Sequence, residues 1–221
     1  MKSRFLKLTL IGVFLFAMIN PAEVGASRAA KDKEAHVQNQ CISPAMVQLN
    51  SSLRKLWIDH VIWTRSYIVS AIAGLEDQEE VLERLLKNQQ DIGNAIKPYY
   101  GEEAGNKLAG LLKEHIVIAG KIVAAAKSGN QADAAKFNKE WYRNADDIAL
   151  FLSSANPNWT NKELKDLLYQ HLQLLTDDVV ARLSKNWAAD IATFDKAEDH
   201  IIMLADTLST GIIKQFPDKF K

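Results

Sequence analysis

The sequence predicts an all-α protein, an antiparallel six-helix bundle built from three similar helical hairpins. Three observations predict it. Apolar residues recur at three- and four-residue spacings almost everywhere after Pro44. Only 10 glycines and 5 prolines punctuate 221 residues, too few turns for a many-stranded β fold. The third observation is a repeat. Leu53-x-x-Leu56-x-x-x-His60 returns as Leu108-x-x-Leu111-x-x-x-His115 and again as Leu164-x-x-Leu167-x-x-x-His171, with histidines 55 and 56 residues apart.

The elements follow in order. Lys2, Arg4 and Lys7 precede the apolar run Leu8 to Ile19, then Pro21 and the small residues before position 27. Basic, apolar, small is the pattern of a secretory signal, assigned to residues 1–26. The apolar run is shorter than the ~20 residues that span a bilayer, so an uncleaved leader is the only membrane attachment considered. Residues 27–43 are polar and aperiodic, the composition of a flexible tether, and carry His36 and Cys41. A lone cysteine forms no internal disulfide and is read as an incidental thiol.

The bundle domain is 44–221. Ser43-Pro44 is a start signal, with Ser as N-cap and Pro at the first helical position. The first helix ends near Gly74. A second runs from about Asp77 to Lys97 and stops at Pro98. The third starts near Gly101 and ends at Ser128-Gly129-Asn130. The fourth reaches about Ser154, before the turn Asn156-Pro157-Asn158. Thr160 and Glu163 form a capping box for the fifth. A break between Ser184 and Ala189 opens the sixth, which ends at Gln215-Phe216-Pro217.

Charge excludes one partner class. The chain has 27 basic and 27 acidic residues, and removing the leader's three basic residues and Glu23 leaves 24 against 26. No basic stripe invites nucleic acid. There is no P-loop, no G-x-G-x-x-G after a strand and no G-x-S-x-G, so no catalytic signature argues for an enzyme.

The histidines are the candidate chemistry. Each follows leucines by four and seven residues, which puts it on an apolar helix face. His60, His115 and His171 therefore point inward, and His200 does the same beside Ala197, Ile201 and Leu204. Asp147 shares a stripe with Asn144, Ile148 and Phe151, and Asp91 is an additional candidate. Imidazoles and a carboxylate suit zinc, iron, manganese or copper, and facing helices hold such ions in bundles. His60, His115, Asp147, His171 and His200 form the expected metal set. That reading requires three or more ligand atoms within roughly 2–2.5 Å of one point. No His-Glu-x-x-His or Glu-x-x-His motif is present, so the ligands come from separate helices. The alternative is histidines packed for structure in a non-enzymatic structural or interaction module. A third reading is a metalloenzyme using the same cluster, and a further one, small-ligand binding, requires a tryptophan-lined cavity of at least about 300 Å³.

The stretches HVIWTR, KEHIVIA, NADDIALFLSSANPNW and GIIKQFP resemble a family of small all-helical exported or envelope-associated proteins of Gram-positive bacteria with no established activity. The resemblance covers nearly the whole chain after residue 50. It implies one fold unit and an extracytoplasmic, envelope-facing setting, and it transfers no site.

Overall fold

The computed structural model describes residues 42–221. The expected leader, most of the tether and Cys41 lie outside the described residues. The described chain is all helical, with five α-helices: α1 Pro44–Ala73, α2 Gln78–Lys127, α3 Gln131–Ala155, α4 Asn161–Leu183 and α5 Trp187–Gln215. A 3-10 turn, Pro217–Phe220, follows.

Local chemistry sets the ends. The Ser43 hydroxyl accepts the Met46 N–H at 3.3 Å, with Pro44 in the first turn, where its missing N–H costs nothing. Gly74 ends α1 in the left-handed region, at φ 71. Asn130, Thr160 and Asn186 each accept a backbone N–H three residues on, from Asp133, Glu163 and Ala189.

The expected count of six helices is corrected to five. The second and third are one element, α2, in which helical geometry continues through Pro98 to Tyr100. Gly101, at φ 86 and ψ 171, is the non-helical residue inside it. The chain doubles back there. Gly93 and Gly105 would stand about 18 Å apart on an unbroken helix, yet a Cβ added to Gly105 would lie 2.6 Å from the Gly93 carbonyl oxygen. Farther from the bend, Lys113 Nζ donates to Gln90 Oε1 at 2.8 Å. Glycine at 93 and 105 lets the two backbones touch.

Each helix packs on its predecessor, and α5 closes the ring against α1. Leu53, Leu108 and Leu164, the first leucines of the repeat, are all buried, as are Ile92, Ile148 and Leu204 opposite them. Phe220 of the 3-10 turn is buried and stacks on Tyr99 at 5.7 Å, sealing one end. No described helix is long and apolar enough to cross a membrane.

Candidate histidine core

α1 places His60, the second arm of α2 places His115, and α4 places His171. All three are buried, at 1, 3 and 2% exposure. They meet in the bundle centre: the His171 ring lies 5.5 Å from His60 and 6.2 Å from His115, centroid to centroid. Trp57 flanks His60 at 5.6 Å and Trp141 flanks His115 at 5.1 Å.

The amides behind them fix the tautomers. Gln89 Nε2 donates to the Leu85 carbonyl and to Asn88 Oδ1, so Gln89 Oε1 is free to accept from His60 Nδ1 at 3.2 Å. Asn144 Nδ2 donates to the Leu111 carbonyl at 3.1 Å, and its Oδ1 accepts from His115 Nδ1 at 2.9 Å. Each Nδ1 therefore carries the proton and each Nε2 keeps its lone pair. His200 Nε2 donates to the Leu167 carbonyl at 2.8 Å, which leaves its Nδ1 bare and without a partner. Among the described residues, His171 has no hydrogen-bond partner on either nitrogen.

These bonds repeat. Asn88 donates to the Leu56 carbonyl as Asn144 does to Leu111 and His200 to Leu167. The acceptors are the second leucines of the three sequence patterns. The donors 88, 144 and 200 are evenly spaced at 56 residues.

Burial depresses the imidazoles. Desolvation, then repulsion from His115, takes His60 down to about 3 despite the Gln89 bond. Desolvation takes His115 to about 4. His171 lies well below its ordinary value, through desolvation first and then His60, His115 and His200. All three are neutral at pH 7, the form in which imidazole binds metals.

The expected five-residue cluster is not formed. Asp147 has 44% of its side chain exposed and pairs with Arg143 at 3.4 Å; Asp91 is 31% exposed and pairs with Lys87 at 2.6 Å. At about 100° per residue Asp147 sits some 60° round the helix from Asn144, on Arg143's side, outside the buried stripe. Among the described residues no three His, Cys, Asp or Glu side chains are placed to hold a metal ion as they stand.

A charged group escaped the sequence reading. Arg65, one turn beyond Val61, turns from His60 to join α1 to α4 and α5. Its guanidinium donates to Asp178 and to both oxygens of Asp190, and Arg182 reaches Asp190 at 2.9 Å. Both carboxylates are 2% exposed. Burial, then hydrogen bonding with Asp190, lifts Asp178 to about 6. Asp190 is held below the usual range: its bonds to Arg65 and Asp178 outweigh its desolvation.

Beside the histidines, a cavity of about 440 Å³ opens among α1, α2, α3 and α4. Trp141 is the one tryptophan in its wall. Trp159 instead bonds the Thr207 carbonyl, and Trp187 is half exposed. No family model, curated protein or solved structure matches the chain.

A buried polar atom without a partner costs about 1–3 kcal/mol. Leucine at 171 removes two such nitrogens at similar volume. His171→Leu is expected to stabilise the metal-free protein by about 1–3 kcal/mol in urea unfolding at pH 7. His60→Leu orphans Gln89 Oε1 and is expected to destabilise by a similar amount. If both destabilise equally, the orphaned state of His171 is wrong.

Proposed function

We propose that the chain is an exported, envelope-associated binding protein, made of three similar helical hairpins, whose binding element is the histidine core. The ligand is one transition-metal ion held by His60, His115 and His171. The observation that carries this reading is His171, a neutral imidazole with both nitrogens unpaired, set between two imidazoles. The other two histidines are held through Nδ1–H by amide oxygens, the support that metal-binding histidines usually receive.

Imidazoles sharing an ion at about 2.0–2.1 Å place their ring centres roughly 5–6 Å apart. The observed 5.5 and 6.2 Å, for the two pairs that share His171, are close to that. His171, with no hydrogen bond to break, is the ring able to turn. With Asp147 and Asp91 on the surface, the donor set is nitrogen only. That favours zinc, copper or iron and disfavours manganese, which prefers oxygen ligands. The leader pattern and the resemblance to exported Gram-positive helical proteins support the envelope setting.

The test is elemental analysis of untagged protein beside His171→Leu and His115→Ala/His171→Ala. Near-stoichiometric metal in the wild type, lost in a folded His171→Leu variant, is the expected result. No metal as purified and none taken up from zinc, iron or copper would leave the histidines as packing residues. The chain would then be read as a structural or interaction module of the envelope.

A further inference from the structure

We infer that the cavity among α1, α2, α3 and α4 is the way in for the ion, and that Thr64, Trp141 and Leu175 form a movable plug between it and the histidines. Resting on the metal reading above, the plug governs how fast an ion exchanges, not which side chains hold it.

The repeat that places the histidines also places the cavity. Thr64, Ala119 and Leu175 lie four residues after His60, His115 and His171, and Ile68, Val123 and Val179 lie eight after; all six line the cavity. Four residues advance a helix by about 6 Å. The cavity floor is therefore one turn above the histidines on all three helices. In the other direction the stripe carries Leu56, Leu111 and Leu167, then Leu53, Leu108 and Leu164, the last three at most 2% exposed. That side leads into the packed core.

α3 and α4 part at the level of the cavity. Their bonds to each other, from Tyr169 and Lys165 to Asp146 at 2.7 and 2.8 Å, lie toward the 155–160 turn, as does the Tyr142–Tyr169 ring contact. Alongside the cavity, Gln173, Thr176, Asp178 and Arg182 bond within α4 or to α1 and α5, not to α3. Of the neighbouring pairs round the ring, α3 and α4 pack on each other least. Gln131, Gln173 and Val180 are exposed at the mouth, so a hydrated ion reaches it freely.

The histidines lie below the floor, so an ion must pass the side chains that cover them. Thr64, Trp141 and Leu175 are all buried. Among the described residues, Thr64 Oγ1 and Trp141 Nε1 have no hydrogen-bond partner, and the Leu175 side chain can make no hydrogen bond. Packing alone holds the three in place, so moving them breaks no hydrogen bond. Trp141 packs on His115 at 5.1 Å, and its turning uncovers a ligand ring.

The test times zinc exchange in the full chain. Uptake from a zinc-buffering dye and loss to excess EDTA are followed by stopped flow, beside the equilibrium affinity. Leu175→Ala thins the plug and is expected to speed uptake and loss together, about fivefold or more, with the affinity changed less than about twofold. Ala135→Trp narrows the mouth from an exposed position and is expected to slow both by a similar factor. Leu150→Trp, an exposed site on α3 away from the cavity, is expected to leave both rates unchanged. Wild-type rates in Leu175→Ala and Ala135→Trp overturn the plug and leave the metal reading in place. So does an affinity change without matched changes in both rates, or equal slowing by Leu150→Trp. Ala135→Trp decides if Leu175→Ala does not fold. A wild type that takes up no zinc also overturns the plug, and the metal reading falls with it if copper and iron are refused too.

Discussion

Lowering the pH from 7 to 4 is expected to unfold the metal-free protein, with the transition followed by far-ultraviolet circular dichroism. The unfolded chain's histidines take up protons near 6.5. In the folded chain His60 waits until about 3, His115 until about 4, and His171 is also held well below 6.5. Between these limits the unfolded state binds more protons, so the stabilisation is complete above about 6.5 and is lost as the pH falls. Asp178 opposes them. Its folded value of about 6 exceeds the unfolded ~3.9, so its contribution is present below about 4 and lost as pH rises through 6. Against that one carboxyl, His60 and His115 alone leave a net loss on the order of 3–4 kcal/mol by pH 4, and His171 adds to it in the same direction. That is a large share of the stability of many domains, about 5–15 kcal/mol. His171→Leu removes one of the three groups and is expected to move the midpoint to lower pH. A urea-unfolding stability that does not fall between pH 7 and pH 4 would mean that the imidazoles are not buried as described.

The elements legible in the sequence are those fixed by neighbouring residues. Ser43-Pro44 and Thr160 satisfy N–H groups within one turn, so a short window reveals them. Burial of the histidines was legible for a related reason: leucines four and seven residues earlier fix the face. The bend was legible, since the expected stop at Pro98 and start near Gly101 bracket it, but the run of helical geometry through Pro98 to Tyr100, which joins the two arms as one element, was not, and the Gly93–Gly105 contact shows only in three dimensions. Asp147 was misplaced because a three-residue step leaves it at the edge of the buried stripe, where Arg143 draws it outward.

The residues supporting the histidines were missed although a signal existed. Asn88, Asn144 and His200 recur at an even 56-residue step, and they are the three side chains that bond the leucine carbonyls. Asn88 and Asn144 are wholly buried, so each had to have a partner. The Arg65 network had no such signal. Its acidic partners lie 113 and 125 residues away, and nothing local distinguishes Arg65 from a solvated arginine.

That arginine carries the other large expected effect. Arg65→Met is expected to cost about 3–5 kcal/mol at pH 7, measured by urea unfolding, because it strands Asp178 and Asp190 together in the interior. Arg182 alone remains, and it reaches only Asp190. The loss falls at a weak seam: α1 and α4 touch little elsewhere, and Asp190 lies in the first turn of α5, just after the α4–α5 turn. Hydrogen exchange in residues 184–190 is therefore expected to rise more than in α2 or α3. Arg65→Met/Asp178→Leu removes the orphaned carboxyl with its partner and is expected to recover much of the loss, since the penalty comes from an unpaired buried charge. Arg54→Met removes an exposed pair with Asp206 and is expected to change stability far less. If Arg65→Met costs no more than Arg54→Met, or the added Asp178→Leu recovers nothing, the buried pairing does not hold this end of the bundle together.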